Sequence, residues 1–375
     1  MAAGPSAHRL PAGARRDSDG SPKRVGKSGP MDSTILPILV QDGIVNGAIY
    51  ALLALSLVLV FAVTRVIFIP QGEFVAFGAL TYAALGTGAA PRSIWLLGAL
   101  GLGALAAGLW HERRTLQARS LLRLIAETVV LPALVVAAVL TLAPRRPGVI
   151  VQALLAIAVV TPMASCLYRI AYQGLADASV LTLLMASVAV HLVLLGLGLL
   201  VFGPEGSRGD AFSDAVLDVG SLTVQGQALW IVGTTAVLMA GLATFFARTL
   251  HGKALRATAV NRLGARLVGI PAADAGRVAF ALAGLIGAAS GVLIVPLTTV
   301  YYDSGFLIGL KGFVAAIVGG LASYPVAVLA ALLVGIVESF AAFWASPFKE
   351  AIVFTLIIPV LLWRSLAATT TDEEE

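Results

Sequence analysis

The chain is 375 residues long, 59% hydrophobic and 12% charged, with a formal net charge of +5 and a mean hydropathy of +0.95. These values exclude a soluble domain and predict many apolar helices, each needing roughly 20 residues to cross a hydrocarbon core about 30 Å thick. The positive charge is no sign of nucleic-acid binding, because the basic residues fall mostly between the apolar runs. Those runs are continuous rather than alternating, which excludes a membrane barrel.

Residues 1–30 are rich in Pro, Gly, Ser and Arg, carry no apolar periodicity, and read as a disordered arm without the apolar core of a signal peptide. Candidate spans follow at 43–64, 72–89, 92–110, 127–143, 149–170, 178–202, 227–249, 278–300, 306–321, 325–344 and 351–366, so the predicted fold is an all-α bundle of about 11 spans. Of these, 72–89 is short, and 306–321 holds Lys311 and reads as partly re-entrant. Residues 367–375 form an acidic tail.

The first span carries Asp42 and Asn46, read as interhelical hydrogen-bond formers. Small residues at helical spacing (Gly43 and Gly47, Gly287 and Gly291, Gly305 and Gly309) predict close helix approach, since apolar burial gives no net drive within lipid. In Ile67-Phe68-Ile69-Pro70-Gln71-Gly72-Glu73, proline and glycine interrupt an apolar run beside two polar residues. Two readings stand. A broken helix in a bundle builds a pathway from its freed backbone groups, or a tight turn places Glu73 in a first helical turn, where the dipole favours it.

The interval Arg248–Arg277 sets Arg248, Lys253, Arg256, Arg262, Arg266 and Arg277 against one acid, Asp274. Leu255–Val268 reads as a single short basic helix, stopped by Gly269 and Pro271. It either contacts a partner or only fixes topology. With this loop on the inside, thirteen Lys and Arg residues lie inside and five outside, leaving aside the arm and Lys311, as the positive-inside rule requires. The arm's six basic residues fall on the wrong side, so translation is expected to start at Met31, making 31–366 the membrane domain. Lys311 in mid-span must snorkel or pair, with Glu338 and Asp303 as the available counter-charges.

No catalytic grouping, Walker A sequence or metal-ligand spacing stands out among the four histidines and the single Cys166. No catalytic residue, metal or cofactor is therefore assigned, and any ATP hydrolysis belongs to another chain.

Three stretches carry a resemblance: Asn46–Phe61 followed by Phe68–Glu73, Gly252–Ile270, and Gly305–Ser339. Together, in this order, they resemble the LivH-like permeases of branched-chain amino-acid ABC transporters, and Tyr168–Gly206 fits more loosely. The resemblance implies an ABC importer permease fold in a bacterial-type inner membrane, with the basic loop and the C-terminus cytoplasmic. It also implies two cytoplasmic ATPase subunits, a second permease of the M type and an extracytoplasmic substrate-binding protein as partners, besides membrane lipid. The residues expected to couple to the ATPases are Gly252, Arg256, Ala257, Ala259, Arg262, Gly269 and Ile270. Those expected along the pathway are Gln71, Gly72, Glu73 and Lys311. The chain departs from the family at Val260, where an acid or amide is common, and at Ile67–Ile69, which lack an upstream Asn. Residues 92–147 read as an insertion carrying two extra spans. A stand-alone secondary transporter or channel, with Glu73 and Glu338 as coupling carboxylates, is the alternative.

Overall fold

The computed structural model describes residues 35–112, 118–219, 222–321 and 323–362. The arm, the acidic tail and the start proposed at Met31 lie outside these. Helices dominate: α1 (Ile35–Thr64), α2 (Gln71–Gly86), α3 (Ser93–Glu112), α4 (Ala118–Ile125), α5 (Leu131–Leu142), α6 (Val149–Leu167), α7 (Val180–Phe202), α8 (Gly226–Arg248), α9 (Leu250–Val260), α10 (Arg262–Leu267), α11 (Ala272–Ile294), α12 (Ser304–Val318), α13 (Tyr324–Trp344) and α14 (Lys349–Thr355). A π-helical turn, Ala126–Val130, joins α4 to α5, and another, Tyr168–Tyr172, continues α6. A small antiparallel hairpin, β1 (Val216–Val219) with β2 (Leu222–Gln225), precedes α8.

Among the described residues, eight helices are long and apolar enough to cross a membrane. That is fewer than the eleven spans expected. The segments expected at 72–89 and 306–321 fold as α2, with 16 residues, and α12, with 15. The segment expected at 351–366 is broken at Leu356 within its described part. Hydropathy registers an apolar run without registering where its helix starts, and α2 and α12 are shortened by irregular backbone at 65–70 and 295–303.

The core lies where α1, α2, α11, α12 and α13 cross, and glycines set the crossings. A Cβ at Gly43 would lie 2.7 Å from the Ile336 Cα, and one at Gly47 would lie 2.8 Å from the Leu332 Cα, so α1 and α13 touch backbone to backbone. On α11, Gly287 and Gly291 admit Phe74 and Ala79 of α2 in the same way, at 2.9 and 2.8 Å. The three glycine pairs singled out in the sequence thus all sit at helix crossings. Such approach replaces side-chain bulk with extended van der Waals contact, the attraction available inside lipid. Helices α7 and α8 instead turn most of their apolar side chains outward.

Candidate functional site: a broken helix and an exposed helical pair

The basic interval folds as two helices rather than one. Thr249 caps α9 by accepting from the Gly252 N–H at 3.0 Å. Asn261, in extended conformation (φ −146°, ψ 98°), ends α9 and caps α10 by accepting from the Gly264 N–H at 2.8 Å. The single helix expected over Leu255–Val268 is therefore interrupted, because the Asn261 side chain satisfies a backbone donor that a continuous helix would have bonded internally. Gly269 closes α10 as expected. With φ +86° it donates to the Arg266 carbonyl, and Ile270 donates to the Ala265 carbonyl at 2.9 Å, which together form a Schellman cap.

One side of this pair is anchored. Leu255 is buried with Leu59, Val63, Ala275 and Ala279, and a Cβ at Gly252 would lie 2.7 Å from the Phe246 Cα. The other side is bare: Val260 is 87% exposed and Leu267 80%, with Leu263, Val268, Arg256 and Ala257 beside them. Of the residues singled out for coupling, Arg256 and Ala257 lie on this face. Ala259 is half-buried in the wall of a cavity of about 480 Å³ that Arg256 also lines. Gly252, Gly269 and Ile270 shape the pair. Arg262 is half-buried and donates to the Ala176 carbonyl at 2.8 Å, while Arg266 meets Asp177 at 2.7 Å.

The break before α2 forms the second part of the site. Arg65, at φ 62°, ends α1, and Pro70 stands at the N-cap of α2. Gln71 reaches α11, its Nε2 donating to the Ala283 carbonyl at 3.0 Å. Gly72 packs on Gly305 and Gly309 of α12, where a Cβ at Gly309 would lie 2.8 Å from the Gly72 Cα. Glu73 is buried in the first turn of α2, as the dipole reading expects, and its Oε1 lies 2.7 Å from His191 Nδ1 on α7. Glu73 Oε2 and Gln71 Oε1 are buried with no hydrogen-bond partner among the described residues. The His191 ring lies over Phe306, with centroids 4.7 Å apart. Phe306 in turn lines a cavity of about 280 Å³ with Phe68, Ile69, Leu184, Gly309 and Phe313. Phe306 thus stands between the buried Glu73–His191 pair and an apolar cavity that neither Gln71 nor Glu73 lines. His191 was not singled out in the sequence; a lone histidine inside an apolar helix was its only signal.

Lys311 does not join this group. Its Nζ lies 2.5 Å from Glu338 Oε1 and 3.2 Å from Glu350 Oε1, and the Tyr50 hydroxyl donates to Glu338 Oε2 at 2.5 Å. Pairing, rather than snorkelling, settles its charge, and of the two counter-charges weighed in the sequence Glu338 is the one in contact.

Residues 124–361 match the family described as "Branched-chain amino acid transport system / permease component". The chain is 35% identical over 132 residues to the high-affinity branched-chain amino acid transport system permease protein BraD of Pseudomonas aeruginosa, covering 35% of this chain and 43% of that protein. It is 33% identical over 144 residues to the corresponding LivH protein of Escherichia coli, covering 38% and 46%. A probable branched-chain amino acid transport permease protein LivH of Methanocaldococcus jannaschii is 28% identical over 192 residues, covering 50% and 61%. The matched stretches span about half the length of these relatives.

Proposed function

Because the chain belongs to the branched-chain amino acid transport system permease family, we propose that it is the membrane-spanning subunit of an ATP-driven importer for branched-chain amino acids or a related small polar solute. The family match carries this reading. The family is a permease component, so ATP hydrolysis is assigned to two cytoplasmic ATPase subunits, with a second, M-type permease completing the membrane part. An extracytoplasmic binding protein delivers the solute. The membrane is a bacterial-type inner membrane, with α9, α10 and the C-terminus on its cytoplasmic side.

The bare face of α9 and α10 is the surface proposed to dock in an ATPase groove. Apolar side chains this exposed on a rigid pair, rimmed by Arg256 and Arg266, have the make-up of an interface. The pathway is proposed to pass the α2 break at Gln71, Gly72 and Glu73. The secondary-transporter alternative is less favoured, because Glu338 is already matched by Lys311 and leaves the exposed helical pair without a purpose.

Affinity purification from the native membrane, with mass spectrometry of the associated chains, tests the reading. Two ATPases and a second permease are the expected company. Recovery of this chain alone, in a detergent that preserves known importer complexes, would overturn it.

A further inference from the structure

Among the described residues, the stretch from α3 to α5 joins the rest of the bundle through an ion cluster that its lipid-spanning role does not require. Glu127 sits in the π-helical turn between α4 and α5. Its Oε2 accepts from two arginines on two other helices: Arg277 of α11 at 3.1 Å, and Arg169 in the π-helical turn at the end of α6. Its Oε1 lies 2.9 Å from Arg123 Nε, and Arg123 also reaches Asp274 of α11 at 3.1 Å. Arg169 is 3% exposed. A guanidinium that deep is tolerated only beside a carboxylate, and Glu127 is the carboxylate bound to it.

The two π-helical turns face each other across this pair, and the backbone of each is widened. The Leu131 N–H donates to the Ala126 carbonyl and the Gln173 N–H to the Tyr168 carbonyl, five residues back in both cases. In the first turn the cause is Pro132, whose ring cannot sit against the carbonyl four residues earlier. The second turn leads directly to Ala176 and Asp177, the residues that hold Arg262 and Arg266 of α10.

The contacts close into a ring. From α10 one arm runs through Arg266 and Asp177 to the end of α6 and Arg169. The other runs through the cap at Gly269 into α11 and Arg277. Both arms end on the same oxygen of Glu127. We propose that Glu127 is a positioning residue for energy coupling: it makes the ends of α6 and α11 follow α10 together when the ATPases close. Helices α3 and α5 are then a brace that holds this residue in place. The inference rests on the functional reading above, in which α9 and α10 dock on the ATPases.

The test uses the whole importer, reconstituted in vesicles, with solute uptake and ATP hydrolysis measured separately. In Glu127→Gln the ATPases should still copurify and hydrolysis should continue, while uptake per ATP falls roughly three- to tenfold. Glu127→Asp should recover part of the loss. Since Glu127→Gln leaves Arg169 buried without its partner, the double variant Glu127→Gln/Arg169→Gln removes that strain and should be uncoupled as well. Asp177→Asn breaks the other arm at an exposed position and should uncouple more weakly. Unchanged uptake per ATP in the folded variants, or uptake and hydrolysis falling in proportion, would overturn the role of Glu127 while leaving the importer reading intact. Absence of ATPases from the wild-type complex would overturn the importer reading, and this inference with it.

Discussion

Two ion clusters hold this molecule together, and they differ in what they join. Lys311 and Glu338, with side chains 7% and 8% exposed, lie among helices that already touch backbone to backbone, and Tyr50 supplies a third partner from α1. Glu127 is 39% exposed and sits at a seam between α4, α6 and α11, where helices meet through long side chains. The first cluster fixes one arrangement of a core. The second sets the buried Arg169 beside a rim of exposed pairs around Arg123 that can open and re-form. Depth separates the pairs. Lys311–Glu338 and Arg169–Glu127 each set a nearly buried cation against a carboxylate and are costly to break. The pairs made by the 56% exposed Arg123 lie at the rim and are weakly held.

The largest effect is expected at Lys311. Lys311→Met leaves the buried Glu338 without its counter-charge and should cost about 3–5 kcal/mol of stability, read as a lower thermal midpoint of the purified protein. Adding Glu338→Gln should restore part of it. A loss no greater than that of Arg123→Gln, at the exposed rim, would break the contrast. Next is Gly72→Leu, whose side chain has no room against Gly305. Overpacking of about 1–3 kcal/mol should reduce folded yield and impair uptake, and normal uptake at normal expression would remove the α2 break from the pathway. Leu263→Asp with Leu267→Asp should weaken ATPase copurification by about tenfold or more. Both positions are exposed, so stability should stay within about 0.5 kcal/mol, and full retention of the ATPases would count against the docking face.

Asp177→Asn is the smallest effect on stability, below about 0.5 kcal/mol for so exposed a pair. The Arg266 guanidinium beside it holds the Asp177 carboxyl below the usual carboxylate range. A lowered carboxyl stabilises fully above its unfolded value, about 3.9, and is lost only as pH falls through the lower folded one. Thermal midpoints of wild type and variant measured from pH 5 to 8 should therefore run parallel, and a gap that changes across that range would show another group at work.

Hydropathy and glycine spacing made much of this fold readable in advance. The eight full-length spans, the three glycine crossings and the cap at Gly269 all follow from local sequence, because each depends on residues within a turn or two. Asn261 misled for the same reason. Its neighbours favour helix strongly enough to hide an N-cap, and only the second helix behind it shows the break. The partners of the buried charges were beyond reach. Glu73 meets His191 across 118 residues, and Glu127 meets Arg169 across 42 and Arg277 across 150. Such pairs are chosen by how helices assemble, and one chain read in order carries no record of that. The spans within 92–147 could be counted, but which helix ends Glu127 would bind could not.

The crossing of α2 on α12 has one further consequence. Residues four apart lie on one face of a helix, so the row on α12 that meets Gly72 reads Gly305, Gly309, Phe313. Gly72 rests between the two glycines. Sliding α12 by one turn, about 5.4 Å, so that Phe313 takes the place of Gly309 would drive its ring into the α2 backbone. The two short helices are keyed to a single register and must travel as one body. If the proposed pathway past Glu73 holds, the rearrangement that opens it bends at the irregular segments 65–70 and 295–303 on either side of that key.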